Sequence, residues 1–298
     1  MSDPSASDAA PPALLDDYDA LLLDLDGTLL LAGAVIEHAP QALRRARQRG
    51  RHILIVTNNA SRTPAEVAKR LSERSMRIDA EEVVNSPQAA AALLAAAHRE
   101  GDAVLVVGTD ALDEAVAAVG LRPVRSADDH PVAVVQGYSP DTGWRDLAEA
   151  CLAIRAGADW VATNADSTLP TDRGILPGNG AMVAALVVAT GAQPRVAGKP
   201  ERPLLDAAVA RVGARRPLVV GDRLNTDIAA AAHAGLDSLM VLTGVSTAAD
   251  LLGTQPSLRP TYVSADLRGL TGEAPVVRLA AAADDDALRS ALDALRDN

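Results

Sequence analysis

Residues 21–28 read Leu-Leu-Leu-Asp-Leu-Asp-Gly-Thr, an apolar run that carries two carboxylates and then breaks at a glycine. A continuous apolar stretch that ends in a turn signal predicts a strand buried on both faces, as in a parallel sheet. Because strand side chains alternate, Asp24 and Asp26 leave the strand on the same side. Two carboxylates so close repel each other unless a cation or a shared proton intervenes. The alternative for this pair is a solvated strand end with acidic residues.

The composition is that of an ordinary globular protein, with 298 residues of which 48% are hydrophobic and 22% charged. This length suits two domains and a substantial core. Phe is absent and aromatic residues total 2%, so the core must be built from Ala, Val, Leu and Ile. The single cysteine, Cys151, excludes an internal disulfide and fits a reducing compartment.

The charge balance limits the partners that we expect. A net charge of −11 argues against binding nucleic acid or a membrane surface, and an anionic substrate would need a metal ion or a well-placed cation. Residues 1–12 are predicted to be a disordered tail and not a signal peptide, and the apolar runs are too short to span a bilayer. We therefore expect a cytoplasmic enzyme, with a homodimer as one option for its oligomeric state.

Strand and helix patterns alternate along the chain, which predicts an α/β fold with a Rossmann-like parallel sheet. Residues 13–100 and 194–270 are predicted to form this core, with residues 195–198 returning the chain to it. Residues 101–193 are predicted to form a second, inserted α/β unit. Residues 271–298 form a C-terminal extension to which the pattern assigns no role, although 286–295 could make one helix.

Polar groups follow four of the predicted strands: Asp24 and Asp26, Thr57-Asn58-Asn59, Gly198-Lys199, and Gly221-Asp222. In open parallel α/β sheets the ligand crevice lies at the carboxyl ends of the strands, so we expect these groups to converge although they are distant in sequence.

The chemistry that such a set predicts is phosphoryl transfer. Asp24 would attack phosphorus and form an aspartyl-phosphate, while Asp26 would protonate the leaving group and then activate water. Since two carboxylates and a phosphate cannot share a site without a cation, Asp222 is predicted to hold Mg²⁺ with them. Asp227 would either orient metal-bound water or act as an acid in the first turn of a helix.

The remaining groups are predicted to bind the phosphate. Thr57, Asn58 and Asn59 would donate hydrogen bonds to phosphoryl oxygens, the alternative being a helix-capping turn. Only two lysines, Lys69 and Lys199, occur among 28 basic side chains. A chain that so prefers Arg has kept Lys199 for a compact ammonium that can approach a phosphate and a carboxylate together. Chance is the alternative reading.

Four short segments follow one another along the chain: Asp24–Thr28, Thr57-Asn58, Gly198-Lys199-Pro200, and Gly221-Asp222 with Asp227. They resemble the four motifs of the haloacid dehalogenase-like phosphatases. The insertion between the second and third motifs is similar to the large α/β (C2-type) cap of the subclass that contains p-nitrophenyl and phosphoglycolate phosphatases. The resemblance implies that Asp24 is the nucleophile, that Asp26 is the acid/base and contacts the metal through its carbonyl, that Lys199 clamps the phosphate, and that Asp222 is the third metal ligand.

The resemblance also implies a small phosphorylated metabolite as substrate, with glycerol 3-phosphate foremost. Residues 163–172 contain no histidine, which counts against pyridoxal phosphate. The alternatives are a broad-specificity sugar, nucleotide or phosphoglycolate phosphatase, a phosphotransferase on the same scaffold, and a phosphate sensor that has lost catalysis.

Overall fold

The structure, a computed structural model, describes residues 13–171, 173–279 and 289. The predictions of a disordered tail over residues 1–12 and of a helix over residues 286–295 lie outside this range, apart from Arg289.

The described residues form two parallel sheets, two small hairpins and the helices that cover them. The strands are β1 Ala20–Leu23, β2 Leu30–Leu31, β3 Ala34–Val35, β4 His52–Thr57, β5 Val83–Asn85, β6 Ala103–Val107, β7 Arg122–Val124, β8 Ala133–Gln136, β9 Asp159–Ala162, β10 Thr168–Thr171, β11 Gly174–Pro177, β12 Arg195–Val196, β13 Pro217–Gly221, β14 Asp237–Val241, β15 Tyr262–Ser264 and β16 Val277–Arg278. The helices are α1 Ala39–Gln48, α2 Pro64–Ser72, α3 Ser86–Ala95, α4 Asp110–Ala118, α5 Trp144–Arg155, α6 Asn179–Thr190, α7 Pro203–Val212, α8 Ala229–Ala234, α9 Ala248–Leu252 and α10 Arg268–Thr271.

The larger sheet has the strand order β16-β15-β14-β13-β1-β4-β5 and is parallel except for β16. Its central strand β1 is buried at every position, which explains the uninterrupted apolar run that precedes Asp24. Alternate residues of the strands face two different apolar clusters. Leu21 and Leu23 face the cluster that includes α1 and α2, and Leu22 faces the cluster that includes α3 and α7.

The smaller sheet has the order β12-β9-β8-β6-β7 and is parallel throughout. One of its faces, through Val104 and Val135, joins the same apolar cluster as Leu22 of the larger sheet. Its other face is covered by α5 and α6, where Ala150 and Leu186 are buried. The second α/β unit therefore packs on the first through a continuous apolar layer.

At the start of α2, Thr63 and Glu66 form a reciprocal capping box with Pro64 in the first turn, which fixes where this helix begins. One prediction is wrong: residues 195–198 do not return directly to the first sheet, because β12 pairs with β9 of the second sheet. The chain crosses back only after Val196. In the C-terminal extension, β16 forms the edge of the larger sheet.

Candidate active site

The register of three neighbouring strands places the predicted polar groups at one edge of the larger sheet. Leu23 of β1 lies level with Val220 of β13 and with Ile55 of β4. The residues that follow each strand therefore emerge side by side, and the backbone N–H of Asp24 still donates to the Val220 carbonyl at 2.8 Å. This is the carboxyl edge, where ligands of such sheets bind.

Lys199 lies at the centre of this edge with only 3% of its surface exposed. Its ammonium Nζ lies 2.6 Å from Asp24 Oδ1 and 2.6 Å from Asp227 Oδ1, and it donates to the Val56 carbonyl at 2.9 Å. The contacts to Asp24 and to the Val56 carbonyl are hydrogen bonds, and the contact to Asp227 is a close ion pair. A buried lysine held in this way supplies a fixed positive charge next to the Asp24 carboxylate.

Three carboxylates meet beside this ammonium. Asp24, Asp222 and Asp227 each offer an oxygen, and these oxygens all lie within 4.8 Å of one another. Asp222 is fully buried, and its Oδ2 accepts from the Val245 N–H at 2.7 Å, whereas its buried Oδ1 has no hydrogen-bond partner among the residues that the structure describes. A buried unpaired carboxylate oxygen is costly unless a cation meets it. Hard oxygen ligands of this kind fit Mg²⁺.

Two glycines make room for the Asp222 carboxylate. A Cβ on Gly244 would lie 2.0 Å from Asp222 Oδ2, and a Cβ on Gly27 would lie 2.3 Å from Asp222 Cγ. Gly27 also has a φ of +99°, a backbone conformation that residues other than glycine rarely adopt. Sequence analysis treated Gly27 only as the break that ends the strand and gave Gly244 no role, so it did not predict this cradle.

The electrostatics of the site follow from burial and crowding. Burial raises the pKa of Asp24 to about 8, with Lys199 opposing and Asp227 adding to the rise. Burial and Asp227 also raise the pKa of Asp222 to about 6, against the Val245 N–H. Burial alone would lower the pKa of Lys199, but Asp227 and Asp24 outweigh it and raise that pKa. Asp24 and Asp222 therefore hold protons more tightly than ordinary carboxyl groups, and a bound cation would displace those protons.

Three other predicted site residues, Asp26, Thr57 and Asn59, lie outside the cluster formed by Lys199 and the three buried carboxylates. The Asp26 side chain is exposed on the loop after β1 and is not part of the carboxylate cluster. Thr57 is buried at the end of β4, and its hydroxyl accepts from the Asn59 N–H at 3.1 Å. Asn59 Oδ1 accepts from the N–H and the hydroxyl of Ser61, at 2.9 and 2.8 Å, which stabilises the loop locally.

Asn58 has contacts that the sequence did not predict. Its Oδ1 accepts from the Lys199 N–H at 2.8 Å, and its Nδ2 donates to the Lys199 carbonyl at 2.9 Å. The same Nδ2 lies 3.3 Å from Asp166 Oδ2, and Asn164 Nδ2 donates to the Asn58 carbonyl at 2.9 Å. Asn164 and Asp166 follow β9 of the smaller sheet, so Asn58 connects the two α/β units.

Comparison with known proteins identifies the class of protein. Residues 21–122 match the sequence profile of the haloacid dehalogenase-like hydrolases, and residues 196–270 match that of the HAD-hydrolase-like family. Together these ranges cover more than half of the chain and contain Asp24, Lys199 and Asp222. The chain belongs to the haloacid dehalogenase-like hydrolases.

Individual relatives share most of its length. The chain is 55% identical to the D-glycerol 3-phosphate phosphatase of Mycobacterium tuberculosis over 268 residues, 90% of this chain and 75% of that protein. It is 37% identical to the acid sugar phosphatase of Staphylococcus aureus over 263 residues, 87% of this chain and 99% of that protein. A crystal structure of the M. tuberculosis glycerol phosphate phosphatase in complex with magnesium superposes with a TM-score of 0.84 at 56% identity, covering 87% of this chain and 78% of that one.

Proposed function

We propose that this protein is a Mg²⁺-dependent phosphomonoesterase that hydrolyses glycerol 3-phosphate to glycerol and phosphate. The observation that carries the proposal is the buried Lys199 ammonium, 2.6 Å from Asp24 and next to the unpartnered Asp222 oxygen. Support for the substrate comes from the glycerol phosphate phosphatase that shares 55% of its residues over 90% of this chain.

In the first half of the reaction Asp24 is the nucleophile. One of its oxygens bonds to phosphorus while the bond from phosphorus to the glycerol oxygen breaks. Lys199 neutralises charge on the transferring phosphoryl group, and its burial makes that charge more effective than it would be in water. Asp26, on the exposed loop two residues further on, gives its proton to the departing glycerol oxygen.

The second half returns the enzyme to its starting state. Water attacks the phosphorus of the aspartyl-phosphate and gives a proton to Asp26, and the bond between phosphorus and Asp24 breaks to release inorganic phosphate. Mg²⁺ held by Asp24 and Asp222, with the Asp26 carbonyl, supplies positive charge that lets the carboxylates and the phosphate share the site. Thr57, at the end of β4, would orient the phosphoryl oxygens.

The two α/β units have separate tasks in this proposal. Residues 13–100 and 197–270 form the catalytic core, and residues 101–196 form the cap that excludes water and selects a small substrate. The described part of the chain contains no helix long and apolar enough to cross a membrane. The single cysteine and the net charge of −11 support a cytoplasmic enzyme without nucleic-acid or membrane partners. Homodimerisation stays a prediction.

A phosphate-release assay tests the function. We expect Mg²⁺-dependent turnover of glycerol 3-phosphate, with a higher kcat/KM than for sugar phosphates, nucleotides and phosphoglycolate. EDTA should abolish it and added Mg²⁺ should restore it. Asp24→Asn should reduce kcat by at least ~10³-fold with an unchanged Tm, whereas Asp129→Asn, on an exposed turn, should behave as wild type. Retention of turnover by Asp24→Asn would refute the covalent route, and transfer of phosphate to added polyols would identify a phosphotransferase.

A further inference from the structure

Asn58 holds the backbone of Lys199 at two points. Its amide oxygen accepts from the Lys199 N–H at 2.8 Å, and its amide nitrogen donates to the Lys199 carbonyl at 2.9 Å. Gly198 permits this approach, because a Cβ there would lie 2.5 Å from Asn58 Oδ1. A bidentate contact of this kind fixes the rotation as well as the position of the peptide. The Asn58 side chain thus fixes the backbone position from which the Lys199 side chain reaches toward Asp24.

The other contacts of Asn58 come from the loop that follows β9 in the inserted unit. Asp166 Oδ2 lies 3.3 Å from Asn58 Nδ2, and Asn164 donates to the Asn58 carbonyl at 2.9 Å. Asn164 is itself buried and held by Asn179, whose Nδ2 donates to its carbonyl at 2.7 Å. These hydrogen bonds hold the loop in one conformation, in which it contacts Asn58 from the side of the inserted unit.

We propose that Asp166 is a positioning residue that acts through Asn58. The Lys199 ammonium then lies at its contact distance from Asp24 only when the loop carrying Asp166 is docked on the core. The Asp166 carboxylate orients the Asn58 amide, and that amide clamps the Lys199 peptide. The inference rests on the proposed phosphatase activity. It gives the cap a role in assembling the catalytic site, besides its role in excluding water.

The position of Asp166 supports this role over direct catalysis. Asp166 is half-buried, and its Oδ2 contacts an amide instead of standing with the carboxylates that offer a metal site, which are Asp24, Asp222 and Asp227. A carboxylate close to an incoming phosphate repels it, so the presence of Asp166 here needs a reason other than phosphate binding. Orienting Asn58 is such a purpose, and it needs an acceptor oxygen but not a negative charge.

The proposal can be tested with substitutions that remove either the negative charge of Asp166 alone or its hydrogen-bond acceptor oxygen as well. Asp166→Asn keeps an oxygen that can accept from Asn58, and we expect kcat for glycerol 3-phosphate within about 3-fold of wild type. Asp166→Ala removes the acceptor, and we expect kcat to fall about 10-fold with KM nearly unchanged, because Lys199 acts mainly in the transition state. Affinity for vanadate, a transition-state mimic, should fall in parallel with kcat. Asp166→Ser serves if the alanine variant does not fold.

A double-mutant cycle identifies the route of the effect. If Asp166 acts through Asn58, Asp166→Ala should cost no more than 2-fold in an Asn58→Ala background. Asp129→Ala, an exposed aspartate of the inserted unit outside this loop, is the control and should leave kcat unchanged. Additive losses, or an unaffected Asp166→Ala enzyme, would overturn the inference while the phosphatase stands. Absence of turnover in the wild type would overturn both.

Discussion

The ammonium of Lys199 lies 2.6 Å from Asp227 Oδ1, at the same distance as from Asp24. If all the acids are ionised, Lys199 with Asp24, Asp222 and Asp227 leaves two negative charges uncompensated in a buried site. One divalent cation balances them, and the site can then accept a phosphate. Asp227 therefore serves as a fixed counter-charge for Lys199, which accounts better for its burial than the role of a first-turn helix acid.

The compact shape of the Lys199 ammonium should be essential. A guanidinium is planar and larger, and it cannot place one cation 2.6 Å from two carboxylates and 2.9 Å from the Val56 carbonyl at once. We expect Lys199→Arg to lower kcat/KM at least ~100-fold in steady-state assays. Lys69→Arg, on the exposed side of α2, is the matched control and should be silent. An active Lys199→Arg enzyme would show that only the charge matters.

The cradle around Asp222 can be tested with a single methyl group. Gly244→Ala should weaken Mg²⁺ binding at least 10-fold by calorimetry, because the new Cβ would lie 2.0 Å from Asp222 Oδ2 and must displace that carboxylate. Gly253→Ala is a suitable control, since its Cβ would meet nothing nearer than 3.8 Å and its φ of −88 suits alanine. Normal Mg²⁺ affinity in Gly244→Ala would mean that Asp222 does not hold the ion.

Sequence reasoning was strongest where one chemical pattern dictates one structure. The apolar run before Asp24, ended by the turn signal of Gly27, predicted a strand buried on both faces, and β1 is buried at every position. The role of Asn58 was beyond such reasoning, because its partners Asp166 and Lys199 lie 108 and 141 residues away. The short strand β12 was misassigned for a related reason, since two residues carry no periodicity that distinguishes one sheet from another.

Mg²⁺ affinity should depend steeply on pH. In the metal-free protein the pKa of Asp24 is raised to about 8 and that of Asp222 to about 6, both chiefly by burial. Protons therefore compete with the ion, so affinity should rise as pH increases from about 6 to about 8 and level off above that. Calorimetry in buffers of different ionisation enthalpy should show proton release on binding at pH 7. Affinity that is flat over this range would contradict the prediction.

Far from the active site, Asp19 should make stability depend on acid pH. Although partial burial opposes the effect, the N–H groups of Arg215 and Arg216, at 2.8 and 3.0 Å, lower the pKa of Asp19 below its ordinary value. A carboxylate with a lowered folded-state pKa contributes stability that is present above its unfolded-state pKa and lost as pH falls through the folded-state pKa.

Asp19→Asn should therefore cost about 1 kcal/mol of unfolding free energy at pH 7, an estimate reduced for the solvent exposure of this side chain. The difference from wild type should shrink as pH falls through the folded-state pKa of Asp19, because the carboxyl is then protonated in both states. Urea denaturation at pH 7, 5 and 3 measures it, with the exposed Asp17→Asn as control. A cost that does not fall at all between pH 5 and pH 3 would assign the effect to hydrogen-bond geometry instead of charge.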